Sequence, residues 1–339
     1  MEATAMNPAL TVVKSTDPTA TARRRDIRGA SVQSQILSKS LQFTVRPFLT
    51  VWAQAPSLPW PMGLVDYAGL LVPQISGTTR SRVMLAECEA EWIRAEGAGS
   101  DRVVLYMHGG AFVCCGLRTH RRMTSRVSKN IDGAVLSVNY RMMPRNPISH
   151  AVEDGVDAYR FLLDSGYRPE QIVLGGDSAG GYLAFMVALA LRTVDLPAPA
   201  GIFTMSPLTD MDPSGKLDHE NASKCSIFPP NAVPALTALA DRVDARIVVE
   251  GRRGPRVSPV DSDLAGMPPV LIQVGSTEMV YADAELMAQR LAVAGVECEL
   301  QVYEDQVHVF QAADFVPEAR RALRAIGEFA RNVSPRRES

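Results

Sequence analysis

Long apolar runs, cysteine and an excess of charge of one sign are all in short supply in this 339-residue sequence. No run reaches the length of about 18 apolar residues that would predict a transmembrane helix. The first stretch, MEATAMNPALTVVKSTDPTATARRR, has no apolar segment of the kind that signal peptides contain. We therefore expect a cytoplasmic location and leave peripheral association with a membrane or the cell envelope open.

The five cysteines are an odd number and do not describe a disulfide framework. Cys114 and Cys115 are adjacent and belong to no C-x-x-C pair, so no zinc site is predicted. The 35 basic and 37 acidic residues give a net charge of −2 at pH 7, which lacks the basic footprint of a nucleic-acid-binding protein. We expect neither a metal nor a nucleic-acid partner.

From residue 80 onward, short β-rich runs alternate with helical patterns, which is typical of a mostly parallel sheet covered by helices. The interval 209–267 has no strong strand run and is interpreted as an excursion over the sheet. The fold class is therefore α/β. Strands are predicted within 81–95 and at 102–107, 133–140, 171–174, 201–208, 268–276 and 296–304. Helices are predicted at 119–130, 150–166, 179–194, 282–295 and 317–333.

The pentapeptide Gly176-Asp177-Ser178-Ala179-Gly180 lies between an apolar strand pattern and a long helical pattern. This G-x-S-x-G context is typical of a serine nucleophile on a strained turn, where small neighbours avoid clashes and a helix N-terminus faces developing negative charge. An ordinary serine in a glycine-rich turn is the alternative. A phosphate-binding loop is disfavoured because no Gly-Lys-Ser/Thr follows. Ser178 is the candidate nucleophile.

A serine nucleophile needs a base, and the base needs an acid that orients it. In a fold of this kind the chain order is Ser, acid, His, so the base should follow Ser178. His308 follows the last predicted strand by a few residues and is the candidate base, with a surface-loop histidine as the alternative. His219 lies in the excursion, and His120 and His150 are interpreted as solvated or capping residues.

The acid is expected after the strand 268–276, where two carboxylates occur. Glu278 comes two residues after Ser276, and Asp283 comes five residues later than Glu278, at the start of the next helix. Asp283 also fits as a first-turn acid that the helix dipole favours. The local residues leave both carboxylates open.

The motif HGGAF, residues 108–112, ends the predicted strand 102–107 and supplies backbone amides where an acyl-transfer intermediate needs donors. A plain strand-terminating Gly-Gly turn is the alternative. His108 and Asp177 are interpreted as residues that orient this loop. The predicted oxyanion hole consists of Gly109, which shapes the turn, and the amide donors Gly110, Ala111 and Ala179.

Four segments resemble the hormone-sensitive-lipase family of α/β-hydrolase esterases: HGGAF, YRMMPRNP, GGDSAGG and the long segment from SPVDSD to DQVHVF. The resemblance covers about residues 75–333. It implies that Glu278 is the acid, because Glu278 stands 30 residues before His308, where the family has an Asp-Pro-Leu-like motif. Glutamate replaces the commoner aspartate there, and Ala111 replaces the third glycine of HGGG but keeps its amide.

The resemblance implies a serine hydrolase that cleaves carboxylic esters of short- to medium-chain acids through a Ser178–His308–Glu278 triad, without a cofactor. The alternatives are a lipase acting on longer acylglycerols, an amidase or deacetylase, and a ligand-binding receptor like the gibberellin receptors. Those receptors have lost the catalytic histidine, which DQVHVF keeps here. The apolar candidates for an acyl pocket, each also explicable by packing, are Met62, Leu64, Leu70, Leu71, Phe112 and Phe228.

The resemblance also implies an N-terminal helical cap over the active site. The expected organisation is a flexible lead-in (1–30), a cap segment (31–75), a catalytic domain (76–333) whose excursion 209–267 contributes to the cap, and a flexible tail (334–339). Within the cap, the stretch 42–65 is apolar but contains four prolines, and it either packs on the core or touches an acyl chain or lipid. The expected partner is a small ester, and a homodimer is left open.

Overall fold

The structure is a computed structural model that describes residues 22–244, 248–249, 252–253 and 257–335. Most of the predicted lead-in, most of the predicted tail and part of the excursion 209–267 lie outside these residues. The strands are β1 (Arg23–Ile27), β2 (Thr78–Met84), β3 (Glu89–Ala95), β4 (Val103–Met107), β5 (Ala134–Asn139), β6 (Ile172–Asp177), β7 (Gly201–Met205), β8 (Val248–Val249), β9 (Arg252–Arg253), β10 (Val270–Gly275) and β11 (Cys298–Tyr303). The α-helices are α1 (Val32–Gln54), α2 (Leu117–Ile131), α3 (Ile148–Asp164), α4 (Ala179–Thr193), α5 (Ser214–Asp218), α6 (Asn221–Lys224), α7 (Ala232–Asp244), α8 (Tyr281–Val293) and α9 (Pro317–Val333).

One sheet of nine strands runs through the described residues in the order β1-β11-β10-β7-β6-β4-β5-β3-β2. Neighbouring strands are parallel except at β3, which is antiparallel to both β2 and β5. Strands β4, β6 and β10 are buried along their whole length, as expected for parallel strands covered on both faces. The predicted α/β fold with a mostly parallel sheet is confirmed.

Two hydrophobic cores lie on opposite faces of the sheet, because successive side chains of a strand point to opposite sides. In β4, Leu105 belongs to the larger core, which includes side chains of α3, α4 and α8. Its neighbours Val104 and Tyr106 belong to a smaller core formed with α2 and α9. Helices therefore cover both faces.

The loops that follow five neighbouring strands meet along one side of the sheet, at the carboxyl ends of these strands. β4 leads into the HGGAF loop, β6 into Ser178, β7 into Ser206, β10 into Glu278 and β11 into His308. Because these strands are adjacent and parallel, their carboxyl ends lie side by side. The sheet order thus gathers residues that are far apart in the sequence.

Strand β1 differs from the sequence prediction, which placed these residues in a flexible lead-in. β1 pairs in parallel with β11 and forms an edge of the sheet. Its sequence RRRDI has four exposed positions and one buried position, Ile27, so it lacks the alternation of a half-buried strand. Main-chain pairing with β11 holds this segment, and Arg24 adds an ion pair with Glu285 at 2.6 Å.

Helix α1 fills most of the predicted cap segment. Ser31 caps its N-terminus, since the Ser31 hydroxyl accepts a hydrogen bond from the Ser34 amide at 3.2 Å. α1 packs against α7, and the Arg46 guanidinium donates to the Cys225 carbonyl near α6. The N-terminal segment and the excursion after β7 are therefore in direct contact.

The rest of the cap segment contains a 3-10 helix, Met62–Leu71, that packs on the N-terminus of α2. Asp66 accepts hydrogen bonds from the amides of Arg118 and Thr119 at 2.9 Å. Burial opposes ionisation, but these bonds hold the pKa of Asp66 below its ordinary value. A helix N-terminus favours the negative charge placed there. In the described ranges, no helix is both long and apolar enough to cross a membrane.

Candidate active site

Ser178 occupies a sharp turn between β6 and α4, with φ 52° and ψ −119°. A non-glycine residue in this region is strained, and such strain clusters at functional sites. The turn is tied to β7, because the Ser178 amide donates to the Met205 carbonyl at 2.9 Å. The flanking glycines are required by space: a Cβ on Gly176 would lie 2.2 Å from the Gly180 oxygen, and one on Gly180 would lie 2.0 Å from the Met107 oxygen.

His308 and Glu278 form a buried pair, with His308 Nδ1 2.7 Å from Glu278 Oε2. A carboxylate only accepts, so Nδ1 carries the proton and donates it, which leaves Nε2 as the acceptor nitrogen of the ring. Phe228 packs edge-on against the imidazole, with ring centroids 4.8 Å apart. The arrangement fixes both the tautomer and the orientation of His308.

The other oxygen of Glu278 is held by Ser206 and the backbone. Glu278 Oε1 accepts from the Ser206 hydroxyl at 2.8 Å and from the Gly275 amide. Ser206 Oγ in turn accepts from the Val309 amide at 3.0 Å. Ser206 therefore links the acid to the loop that carries His308. The sequence analysis missed Ser206, which lies inside the predicted strand 201–208 and directly follows the observed strand β7.

Asp283, the other acid that the local sequence left open, points elsewhere. Its carboxylate lies 2.9 Å from the ammonium of Lys216, and both side chains are almost completely buried. It also accepts from the amides of Thr209 and Asp210 at 3.0 Å. Burial raises the pKa of Asp283 to about 6, and Lys216 opposes this rise. Asp283 anchors the start of the excursion to α8.

The HGGAF loop turns sharply after β4. Gly110 has φ +118°, and Ala111 has φ +53°. The Gly110 carbonyl accepts from the Val113 and Cys114 amides at 3.0 Å. In the described part of the chain, no acceptor engages the amides of Gly110 and Ala111. Ala179 is the first residue of α4, where a helix has no intrahelical acceptor for its amides. These amides and Ser178 lie at the same edge of the sheet.

Asp177, which precedes the serine, organises the HGGAF loop through a buried network. Its Oδ1 accepts from the Tyr106 hydroxyl at 2.6 Å and from the Gly109 amide at 3.0 Å. Its Oδ2 lies 3.3 Å from His120 Nε2. Space is tight, since a Cβ on Gly109 would lie 2.2 Å from Asp177 Oδ2. Asp177 thus contacts the loop through the Gly109 amide, and its role as an orienting residue stays a prediction.

His120 was predicted to be solvated or capping, and the solvated interpretation is wrong. It is buried in α2 and faces Asp177. Burial alone would lower the pKa of His120, but the charge and hydrogen bond of Asp177 raise it to about 9. The same pairing holds the pKa of Asp177 below its ordinary value, although burial opposes this. The two side chains form a buried ion pair.

His108, the other predicted orienting residue, is fully buried and stacks on Tyr140 with ring centroids 4.3 Å apart. Its Nδ1 lies 2.7 Å from the Gly109 carbonyl, and the Tyr140 hydroxyl donates to the His108 carbonyl at 2.7 Å. Burial, helped by the charge of His120, lowers the pKa of His108 to about 4. His108 is therefore a neutral contact of the loop.

A cavity of about 1060 Å³ connects these elements, and Ser178, His308, Gly110 and Ala111 all line it. Its walls come mainly from apolar side chains of α1, α7 and the loops after β10 and β11. Two of the six predicted acyl-pocket residues line the cavity, Met62 and Phe228. The other four do not line it. Leu64, Leu70 and Leu71 are exposed, and Phe112 is packed in the core.

A strained serine between strand and helix, a buried acid–histidine pair and a mostly parallel sheet define an α/β hydrolase. The profile of the alpha/beta hydrolase fold family matches residues 104–312, and the chain belongs to that family.

The chain is 41% identical over 311 residues to the carboxylesterase/phospholipase LipF of Mycobacterium tuberculosis, covering 90% of this chain and 83% of LipF. It is 42% identical over 295 residues to the esterase LipU of the same species, covering 86% of this chain and 99% of LipU. A crystal structure of an esterase from the bacterial hormone-sensitive lipase family is 34% identical, with a TM-score of 0.77 over 90% of this chain and 99% of that one. The resemblance to this family is confirmed.

Proposed function

We propose that the protein is a carboxylic ester hydrolase that works through a Ser178–His308–Glu278 triad and an acyl-enzyme. The observation that carries the proposal is the 2.7 Å contact of His308 Nδ1 with Glu278, on the cavity that Ser178 also lines. The relatives named carboxylesterase and esterase support the reaction class. Three residues that follow β6, β11 and β10 thus take the roles of nucleophile, base and orienting acid.

In the proposed reaction, Ser178 Oγ attacks the ester carbonyl while His308 Nε2 takes its proton. Glu278 keeps Nδ1 protonated and stabilises the imidazolium that forms. His308 then protonates the leaving alcohol, and afterwards activates the water that releases the acid. The Ser206 and Gly275 donors keep the Glu278 carboxylate in place during both steps.

The charge on the attacked carbonyl oxygen needs donors that are in place before the reaction. We assign the amides of Gly110, Ala111 and Ala179 to this role, with Gly109 shaping the loop. The positive φ of Gly110 and Ala111 and the position of Ala179 at the start of α4 support the assignment. Asp177 stabilises the loop through the Gly109 amide.

The proposed substrates are esters with short- to medium-chain acyl groups. The cavity, at about 1060 Å³, lies just above the range of common small-ligand pockets, which span about 300–1000 Å³. Apolar side chains dominate its lining, which suits an acyl chain better than a polar acid. An acyl chain and a small alcohol can therefore be accommodated together.

Hydrolysis of p-nitrophenyl esters from acetyl to palmitoyl tests the proposal, with Ser178→Ala beside the wild type. We expect activity to peak at short to medium chains and to fall by on the order of 10⁴-fold or more in the variant. Ser223→Ala, on an exposed serine, is the matched control and should keep full activity. Activity that rises to palmitoyl would favour a lipase. A folded but inactive wild type would contradict the esterase, leaving amides and non-catalytic binding to be tested.

We also propose that the outer face of the cap contacts anionic lipid. Large apolar side chains of the predicted contact region 42–65 are exposed there, among them Phe43 at 76% and Leu64 at 65%. No acidic residue occurs between Asp26 and Asp66, whereas Lys39 and Arg46 are basic. Apolar patches bordered by basic charge suit a negatively charged membrane surface.

Sedimentation with phosphatidylcholine vesicles, with and without phosphatidylserine, tests this contact. The wild type should bind more strongly to the anionic vesicles, and Phe43→Ser should weaken binding severalfold. Met84→Ser is the matched control, because Met84 is similarly exposed, at 69%, but lies on β2 outside the cap. Absence of wild-type binding to either vesicle would reject lipid contact.

A further inference from the structure

Two adjacent thiols lie beside the proposed oxyanion loop and take no part in the proposed mechanism. Cys114 and Cys115 both line the cavity that contains Ser178. Their sulfur atoms are 3.7 Å apart, and both thiols are free. A molecule that enters the cavity toward the serine therefore reaches a pair of thiols.

The pair is coupled to the oxyanion loop by hydrogen bonds. Cys114 Sγ donates to the Gly110 carbonyl at 3.3 Å. Because the proton of Cys114 points to that carbonyl, Cys115 is left as the donor in the contact between the two sulfurs. The donors thus run from Cys115 to Cys114 to the Gly110 carbonyl, which shares its peptide group with the Ala111 amide assigned to the oxyanion. Loss of the Cys114 proton removes one support of this peptide.

The geometry suits a bridging ligand better than a disulfide. Adjacent residues joined by a trans peptide have Cα atoms about 3.8 Å apart, below the usual disulfide range of about 4.4–6.8 Å. Two sulfurs on one pyramidal trivalent atom, with bonds near the roughly 2.3 Å of a metal–thiolate bond and angles near about 95°, are separated by about 3.4 Å. The observed 3.7 Å is close enough that small rotations of the two side chains bring the sulfurs to that separation.

The number of sulfurs decides which ligand fits. In the described residues there is no group of three or more His, Cys, Asp or Glu side chains that could hold a metal ion. A structural zinc ion takes four protein ligands. A trivalent arsenical with one organic substituent needs only two thiols.

We infer that Cys114 and Cys115 form a dithiol site for trivalent arsenicals, and that its occupation inhibits the esterase. The inhibition rests on the proposed function, whereas the binding does not. With phenylarsine oxide, two S–H bonds break and two As–S bonds form. The two protons leave with the oxide oxygen as water, and arsenic stays trivalent. The bridge removes the hydrogen bond to Gly110 and places a phenyl group in the cavity.

Intact-mass measurement after treatment with phenylarsine oxide tests the binding independently of activity. We expect one phenylarsenic group per wild-type chain, and none in Cys114→Ser or Cys115→Ser. Cys88→Ser is the matched control and should be labelled like the wild type, because Cys88 is half-buried outside the cavity. An unlabelled wild type, or a label that persists in both single variants, would overturn the site.

Hydrolysis of p-nitrophenyl butyrate by the same samples tests the inhibition. The activity of the labelled wild type should fall by at least about tenfold. Dithiothreitol should restore the activity, whereas 2-mercaptoethanol at equal thiol concentration should not. Labelling without loss of activity would overturn the inhibition. An untreated enzyme that hydrolyses no ester but still takes the label would contradict the proposed function and leave the dithiol site supported.

Discussion

Single residues around His308 depend on contacts that cross several strands. Ser206 is 72 residues from Glu278 and 103 from Val309, yet its hydroxyl contacts both. The sequence predicted Ser178 and His308 from local motifs, and Glu278 from the family resemblance. No local motif marks Ser206 or His120, because their partners become neighbours only through the order of the strands.

Replacing Ser206 with alanine should slow the reaction without unfolding the protein. Glu278 Oε1 would lose one of its two donors, and a buried acceptor left short of a partner costs about 1–3 kcal/mol. We expect kcat to fall by about tenfold with KM little changed. Steady-state kinetics of Ser206→Ala check this, and exposed Ser223→Ala is the control. A wild-type kcat in Ser206→Ala would show that Gly275 alone holds the acid.

The His120–Asp177 pair should make stability depend on pH. Because the pKa of His120 rises from 6.5 to about 9 on folding, its contribution is full below pH 6.5 and is lost as the pH rises through 9. The contribution of His120 to the free energy of unfolding should fall by about 3 kcal/mol between pH 6.5 and pH 9.

Urea unfolding at pH 6, 7.5 and 9 measures the effect. His120→Asn should be less stable near neutrality, because Asp177 stays buried without a cation, and should show a flatter dependence over this range. His150→Asn, on a half-buried histidine of α3, should keep the wild-type slope. If the free energy of unfolding depended on pH equally in the wild type and in His120→Asn, the His120–Asp177 pair would not be the cause of that dependence.

At the scale of elements, the helices and strands of the catalytic part were predicted well where an apolar run is buried on both faces. The predicted strand 102–107 corresponds to β4 and the predicted strand 268–276 contains β10. β1 was missed, because its RRRDI sequence has one buried side chain and its stability comes from main-chain bonds to β11. Such an edge strand leaves no hydrophobic pattern to detect.

The turn from β6 into α4 should tolerate no side chain at Gly180. In Gly180→Ala the new Cβ would meet the Met107 carbonyl, which belongs to a fixed strand. We expect a loss of several kcal/mol or failure to fold. Gly215→Ala, in α5 with open space around the Cβ position, is the control and should be neutral within about 0.5 kcal/mol. Thermal unfolding of both variants checks the contrast.

At the scale of the whole molecule, the cavity lies between the carboxyl ends of the central strands and helix α1 of the predicted cap segment. Leu41 of α1 lines the cavity together with Phe228, which packs on His308. A sequence pattern could not predict which apolar residues face this space. Met62 and Leu64 are two positions apart, yet one lines the cavity and the other is exposed.

Narrowing the cavity from the cap side should shorten the range of accepted acyl chains. Leu41→Trp adds bulk to the wall, and we expect kcat/KM to fall by about tenfold for octanoyl and longer esters. Acetyl ester hydrolysis should stay within about twofold. Ser40→Trp, on an exposed position of the same helix, is the control. A uniform loss across all chain lengths in Leu41→Trp would mean that the acyl chain lies elsewhere.

Strand β1 also protects the protein against self-association, because it covers a strand edge. It covers the outer edge of β11, and Glu304, just after β11, is held by the Ile27 carbonyl and the Gly29 amide. Without β1, the backbone groups of β11 would form an open strand edge, which is a template for pairing between molecules. A variant that lacks residues 1–30 should therefore self-associate, although every proposed catalytic residue is present. An increase in light scattering with time would show this.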